Sequence, residues 1–124
     1  MKGGSERGAA AVEFAILLPL LLMLVLGIIE FGRAYNTQLT LTNAARDGVR
    51  VMAIGNNPTA AATAVQTAAA SISTTIPASA VTVSPTVCST GVQVTVTVNY
   101  TLSSITGISG PFAMTGKGVM LCGG

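Results

Sequence analysis

The feature that most restricts this chain is an unbroken apolar run, residues 9–29, AAAVEFAILLPLLLMLVLGII, which holds a single charge. At about 1.5 Å per residue, a helix of this length spans the roughly 30 Å hydrocarbon layer of a bilayer. A secretory signal would have an apolar region of about 7–15 residues and then a small-x-small cleavage site. Here the run passes straight into Glu30-Phe31-Gly32-Arg33, so it reads as a retained transmembrane helix. The residues before it, MKGGSERG, are polar, glycine-rich and too short to form a domain. Pro19, inside the span, lacks an amide donor and crowds the carbonyl four residues back, which predicts a bend or a local loosening. Membrane helices accept such a residue where neighbours re-satisfy the backbone.

With the anchor set aside, only a small core remains to be built from the 124 residues. Half the residues are hydrophobic and 8% are charged, against about 25% charged in ordinary soluble domains. Nine of the ten charges lie at or before Arg50, and only Lys117 follows. A surface so poor in charge repels its neighbours weakly and tolerates association. The chain has no Trp, no His and no basic cluster interleaved with aromatics, so nucleic-acid binding has no footing. With one Asp, three Glu and no His, a general-base pair, an activated nucleophile or an ordinary metal site is hard to assemble. No enzymatic activity, cofactor or small-molecule substrate is expected.

Beyond the span, Leu41, Ala45, Val49 and Met52 recur at helical spacing, with Gln38, Asn43, Arg46, Asp47 and Arg50 between them. This predicts an amphipathic extension of the membrane helix over 30–55. Gly55-Asn56-Asn57-Pro58 ends it, with Gly55 just past the last turn, and starts another helix with Asn57 as N-cap and Pro58 at the first helical position. The Ala-rich stretch that follows carries a narrow stripe at Ala61, Val65, Ala68 and Ile72; its composition over 59–75 is also biased enough to leave part of it disordered. After Pro77 the period changes to two. Val81 and Val83, then Val92, Val94, Val96, Val98 and Tyr100, alternate with polar residues as half-buried strands do. A turn is expected at Cys88-Ser89-Thr90-Gly91, and a short strand over 118–122 would bring Cys122 to Cys88. Both cysteines lie in a domain small enough to need a staple, so a disulfide is expected; the alternative is two buried free thiols. Closing a loop of about 35 residues stabilises by about 4 kcal/mol in the chain-entropy model. The expected class is α+β: a long N-terminal transmembrane and amphipathic helix, a second Ala-rich helix, and a small antiparallel β-sheet with a disulfide. The segments are 1–8 as a cleavable leader, 9–29 as the span, 30–55 as the extension and 56–124 as a small outward-facing domain.

Several polar residues admit two readings. Glu13 lies inside the apolar run, where a carboxylate costs about 2.5–3.5 kcal/mol at mid-bilayer and less near an end. Either it snorkels to the interface or a partner compensates it. Cleavage after Gly8 would make Glu13 the fifth residue and give Ala9 a new α-amino group, mostly protonated at neutral pH. That amine could pair with a carboxylate on a neighbouring helix. Glu30 either marks the lipid boundary or pairs with Arg33. Arg46 and Arg50 share a face that is solvated beside Asp47 or that meets a partner. Asn99-Tyr100-Thr101 has the N-glycosylation pattern but falls within an expected strand.

The segment RGAAAVEFAILLPLLLMLVLGIIEFGRAYNTQLTLTNAARDGVR resembles the N-terminal region of TadE-like pseudopilins, minor pilins of the tight-adherence (Tad) branch of type IV pili. The resemblance covers about residues 7–50. It rests on Gly8 before the apolar run, Glu13-Phe14 at the fifth and sixth places after it, Pro19, Glu30-Phe31-Gly32-Arg33, and Asn43-Ala44-Ala45-Arg46-Asp47-Gly48. Gly3 and Gly4 do not place a Glu at the fifth position. The resemblance implies a bacterial inner-membrane protein whose residues 1–8 a prepilin peptidase removes on the cytoplasmic side, between Gly8 and Ala9. It also implies that Phe14 belongs to the peptidase recognition motif, that Glu13 serves in subunit docking, and that the partners are other pilins and the pilus assembly platform. The major pilins of this branch are much shorter and typically carry Glu-Tyr in place of Glu13-Phe14, so the expectation is a minor pilin that helps initiate, cap or anchor the filament. Charges flanking the span leave orientation open; the expected disulfide favours an inside N-terminus and an outside C-terminus. The alternative is an unprocessed single-span protein displaying a small binding domain.

Overall fold

The computed structural model describes residues 2–72, 76–107 and 110–123. In chain order the elements are α1 (Lys2–Gly55), α2 (Pro58–Ala68), a short 3-10 turn (Ala78–Ala80), β1 (Val81–Ser84), β2 (Gln93–Leu102) and β3 (Phe112–Leu121). The chain divides into two compact units, Met1–Arg33 and Ala34–Gly124. The architecture is α+β, as expected.

The first unit is helix. Its apolar side chains from Val12 to Ile29 stand exposed along their length. Among the described residues, α1 is the one helix long and apolar enough to cross a membrane. Each large side chain left in water forgoes about 2 kcal/mol of burial, and a continuous apolar surface of this extent marks a lipid or protein partner. Helix continues on both sides of Pro19. The segment expected to be a leader is not set apart in secondary structure, since α1 already includes Lys2 to Gly8.

In the second unit, both helices lie on one face of the sheet. The stripe Leu41, Ala45, Val49 and Met52 is buried, together with Ala44 and Ala53, against Val94, Val96 and Val98 of β2 and Ala61 and Val65 of α2. Arg46, Asp47 and Arg50 are exposed on the other side of α1. Small residues decide how closely these layers approach. At Gly48 an added Cβ would run into Val65 and lie 3.3 Å from a Val96 methyl, so this glycine sits where α1, α2 and β2 meet.

The corner between the helices follows the expected cap chemistry, with one shift. Gly55 is the last residue of α1, and Asn56 takes the left-handed conformation after it (φ 47°), its N–H donating to Met52 O at 2.9 Å. Asn is the usual substitute for Gly in this role. Asn57 caps α2, its Oδ1 accepting from Ala60 N–H at 3.1 Å, and Pro58 follows at the first turn. Asn57→Ala is expected to cost about 1 kcal/mol, read as a lower melting temperature of the Ala34–Gly124 unit with no change in its disulfide. The second helix stops at Ala68, four residues short of the expected Ile72, and tightens through Ala70 N–H to Thr67 O at 3.3 Å and Ile72 N–H to Ala69 O at 3.0 Å. Ala69 is buried where Ala68 is half-buried, and Ile72 still packs on the core. Of the biased stretch 59–75, residues 73–75 lie outside the described residues.

The sheet is antiparallel in the order β1-β2-β3. Val94, Val96, Val98 and Leu102 face the helices, while Gln93, Thr95, Thr97, Asn99 and Thr101 alternate with them. The third strand begins at Phe112, six residues before the expected start at Gly118. Its register places Gly116 opposite Val98 and Gly118 opposite Val96, so the inward positions at its centre carry no side chain at all. The backbone of α1 fills that space.

Candidate functional site

Two groups of residues carry functional expectations: Gly8, Ala9, Glu13, Phe14 and Pro19 on the N-terminal helix, and Cys88 with Cys122 in the folded domain. In α1, Gly8, Ala9 and Glu13 are all exposed and helical, and Phe14 is 63% exposed. A Cβ added at Gly8 would meet nothing within 4 Å. Helical periodicity sets Leu17, Leu20 and Leu24 on the same face as Glu13, four, seven and eleven residues on. Those three leucines, with Phe14, Leu18 and Leu21, line an apolar groove along the helix. The arrangement is a carboxylate at one end of a leucine surface. Glu30, by contrast, is 8% exposed and, among the described residues of this unit, the one buried side chain. Neither of its expected settings required that burial.

The cysteines meet as expected. Cys88 and Cys122 are disulfide-bonded with their Cα atoms 5.6 Å apart, inside the usual range for bridged cysteines. Cys122 is 4% exposed and belongs to the core, whereas Cys88 is half-buried. Around the bridge three segments converge. Cys122 N–H donates to Val92 O at 2.8 Å and Gly91 N–H to Cys122 O at 3.2 Å, which extends the β2-β3 pairing. Gly123 N–H donates to Ala53 O at 3.2 Å, and Cys88 N–H donates to Asn56 Oδ1 at 2.6 Å. The turn is one residue later than expected: Val92 N–H returns to Ser89 O at 3.0 Å, with Gly91 at φ 82° in the third position, where a left-handed residue is required. Asn56 therefore serves twice, as helix terminator and as the acceptor for Cys88. Its place after Gly55 was visible in the sequence, but its reach across 32 residues was not.

The remaining residues with two readings also find places. Asn99 lies within β2, and its Oδ1 accepts from the Thr115 hydroxyl on the neighbouring strand at 3.0 Å. Gln38 Nε2 donates to Thr115 O at 2.9 Å, tying the exposed side of α1 to β3. Among the described residues no group of three or more His, Cys, Asp or Glu could hold a metal.

Among the described residues, one candidate membrane span and a disulfide-closed α+β module characterise the chain. Residues 8–50, about a third of the chain, match the family model of TadE-like proteins, and that region is similar to theirs. The matched region begins at Gly8, takes in Glu13, Phe14, Pro19 and the buried stripe of α1, and ends at Arg50. No curated protein and no solved structure matches the chain.

Proposed function

We propose that the chain is a minor pseudopilin of a Tad-type pilus used in adherence. It inserts in the bacterial inner membrane with its N-terminus in the cytoplasm, loses residues 1–8 to a prepilin peptidase, and docks through its N-terminal helix to other pilins at the assembly platform. There it helps initiate, cap or anchor the filament. Its role is in assembly rather than catalysis.

The observation that carries this reading is the spacing of Gly8 and Glu13 within the TadE-like segment. Cleavage after Gly8 places a carboxylate at the fifth position of an exposed leucine surface and creates an amine at Ala9. A carboxylate that must enter lipid is stabilised when a neighbouring subunit's amine meets it. The disulfide supports an outward domain, because such bridges persist in oxidising compartments.

Two substitutions separate the roles. Gly8→Val adds a side chain into open space, so it leaves the fold intact and is expected to abolish processing, seen as retention of the leader in the mass of the membrane-extracted chain. Glu13→Ala is expected to leave cleavage in place and to impair incorporation. Normal piliation with Glu13→Ala would refute the docking role.

A further inference from the structure

The two sulfurs of the bridge sit in unlike places. Cys122 follows the last residue of β3 and belongs to the core, 4% exposed. Both its peptide groups are paired, the N–H donating to Val92 O at 2.8 Å and the C=O accepting from Gly91 N–H at 3.2 Å. Cys88 lies in the connection from β1 to β2, outside either strand, and packs against the core while remaining half-buried. Its neighbours Thr86, Val87, Ser89 and Thr90 are all exposed. Its N–H rests on the Asn56 side chain rather than on a strand. One half of the bridge is thus fixed in the sheet, and the other is carried on an exposed segment.

We infer that Cys88 is the sulfur through which the bridge is opened and closed in the folded domain, by exchange with an external thiol–disulfide couple, and that Cys122 is the resolving thiol. Exchange requires a thiolate to reach one sulfur of a disulfide while the other sulfur leaves. An external thiolate that attacks Cys88 Sγ forms a mixed disulfide there, breaks the bond to Cys122 and releases Cys122 as a thiolate, which takes a proton from water. A second external thiolate then attacks the external sulfur of the mixed disulfide and frees Cys88, which is protonated in turn. Two external thiols have become one disulfide, and the bridge has gained two electrons and two protons. Closing runs back through the same intermediate: the Cys88 thiolate attacks the external disulfide and expels one thiolate, and the Cys122 thiolate attacks Cys88 Sγ and expels the other. Releasing Cys122 into the core slows the exchange, because leaving-group strength enters the rate. It does not redirect it, because a sulfur that is not reached is not attacked. The inference holds for processed and unprocessed chains alike.

The test treats the full, detergent-solubilised chain with reduced glutathione, stops the exchange with acid at early times, and locates glutathione by mass spectrometry of unreduced peptides. Glutathione is expected on Cys88 in preference to Cys122 by about tenfold or more, the effect of the two backbone hydrogen bonds that must open before Cys122 is met. In urea both cysteines should be modified to similar extents, which ties the preference to the fold and not to the flanking sequence. A second arm offers a dithiol protein of the Cys-x-x-Cys type whose second cysteine is replaced by serine. A protein adduct at residue 88 assigns the couple to a protein partner, and a glutathione adduct alone assigns it to small thiols. Equal modification without denaturant, a preference for Cys122, adducts that form only in urea, or a preference that persists in urea would each overturn the inference.

Discussion

Gly118→Val is expected to unfold the Ala34–Gly124 unit at ordinary temperature. A Cβ at this position would lie 2.6 Å from Ala45 O and 2.9 Å from Arg46 N, both backbone atoms of α1. Neither a flexible side chain nor a cavity is there to yield, so the helix must lift from the sheet. Overpacking costs about 1–3 kcal/mol where neighbours can adjust; against helix backbone, with a branched side chain, about 3 kcal/mol is a lower figure. Whole domains are stable by only about 5–15 kcal/mol. Limited proteolysis and thermal melting of the detergent-solubilised chain check this directly. Gly55→Ala is the matched control, since its Cβ meets nothing within 4 Å at the end of α1. It should raise stability by about 0.5–1 kcal/mol through the lower entropy of the unfolded chain. Equal losses from both substitutions would refute the close-approach account.

Replacing Cys88 and Cys122 together by alanine is the second large effect. The bridge spans a sequence separation of 34, and the chain-entropy model assigns such a loop about 4 kcal/mol. In a domain of under a hundred residues that corresponds to a melting temperature lower by about 15 °C or more. The loss should appear first in the region of residues 85–92 and 122–123, because the bridge holds those segments to the Ala53 and Asn56 end of α1. A reductant should bring the unsubstituted chain close to the double variant and leave that variant unmoved. A reductant-insensitive melt in the unsubstituted chain would show that the bridge contributes little.

Those two sites differ in how far the sequence reveals them. The bridge was legible because two cysteines in a small apolar domain have few other uses, and the strand pattern brought their neighbourhoods together. The helix corner was legible from Gly55-Asn56-Asn57-Pro58, although which residue turns left-handed depended on a single step of register. The first half of β3 was not legible. Its inward positions Gly116 and Gly118 carry no side chain, because the backbone of α1 occupies their place, so the alternation that marks a strand disappears where packing is tightest. The early end of α2 was hidden for a related reason: an alanine run continues a helical pattern without showing where the chain must turn away to reach Ile76.

On the N-terminal helix, periodicity says less still. Every side chain of the apolar run is exposed in the isolated chain, so no intramolecular packing ranks one face above another. What singles out Gly8, Glu13 and Phe14 is their spacing and their place in the TadE-like segment. Near the end of that segment, Ala44 and Ala45 are buried in the core and Gly48 sits where a Cβ would meet Val65 and Val96. Arg46, Asp47 and Arg50 point outward and contribute nothing to that core.

The pseudopilin role depends most directly on cleavage after Gly8. The deciding measurement is the N-terminal sequence and intact mass of the chain extracted from membranes of cells that hold the matching prepilin peptidase. The expected chain begins at Ala9. A chain that still begins at Met1 or Lys2 would contradict processing and leave an unprocessed single-span protein displaying a disulfide-closed domain.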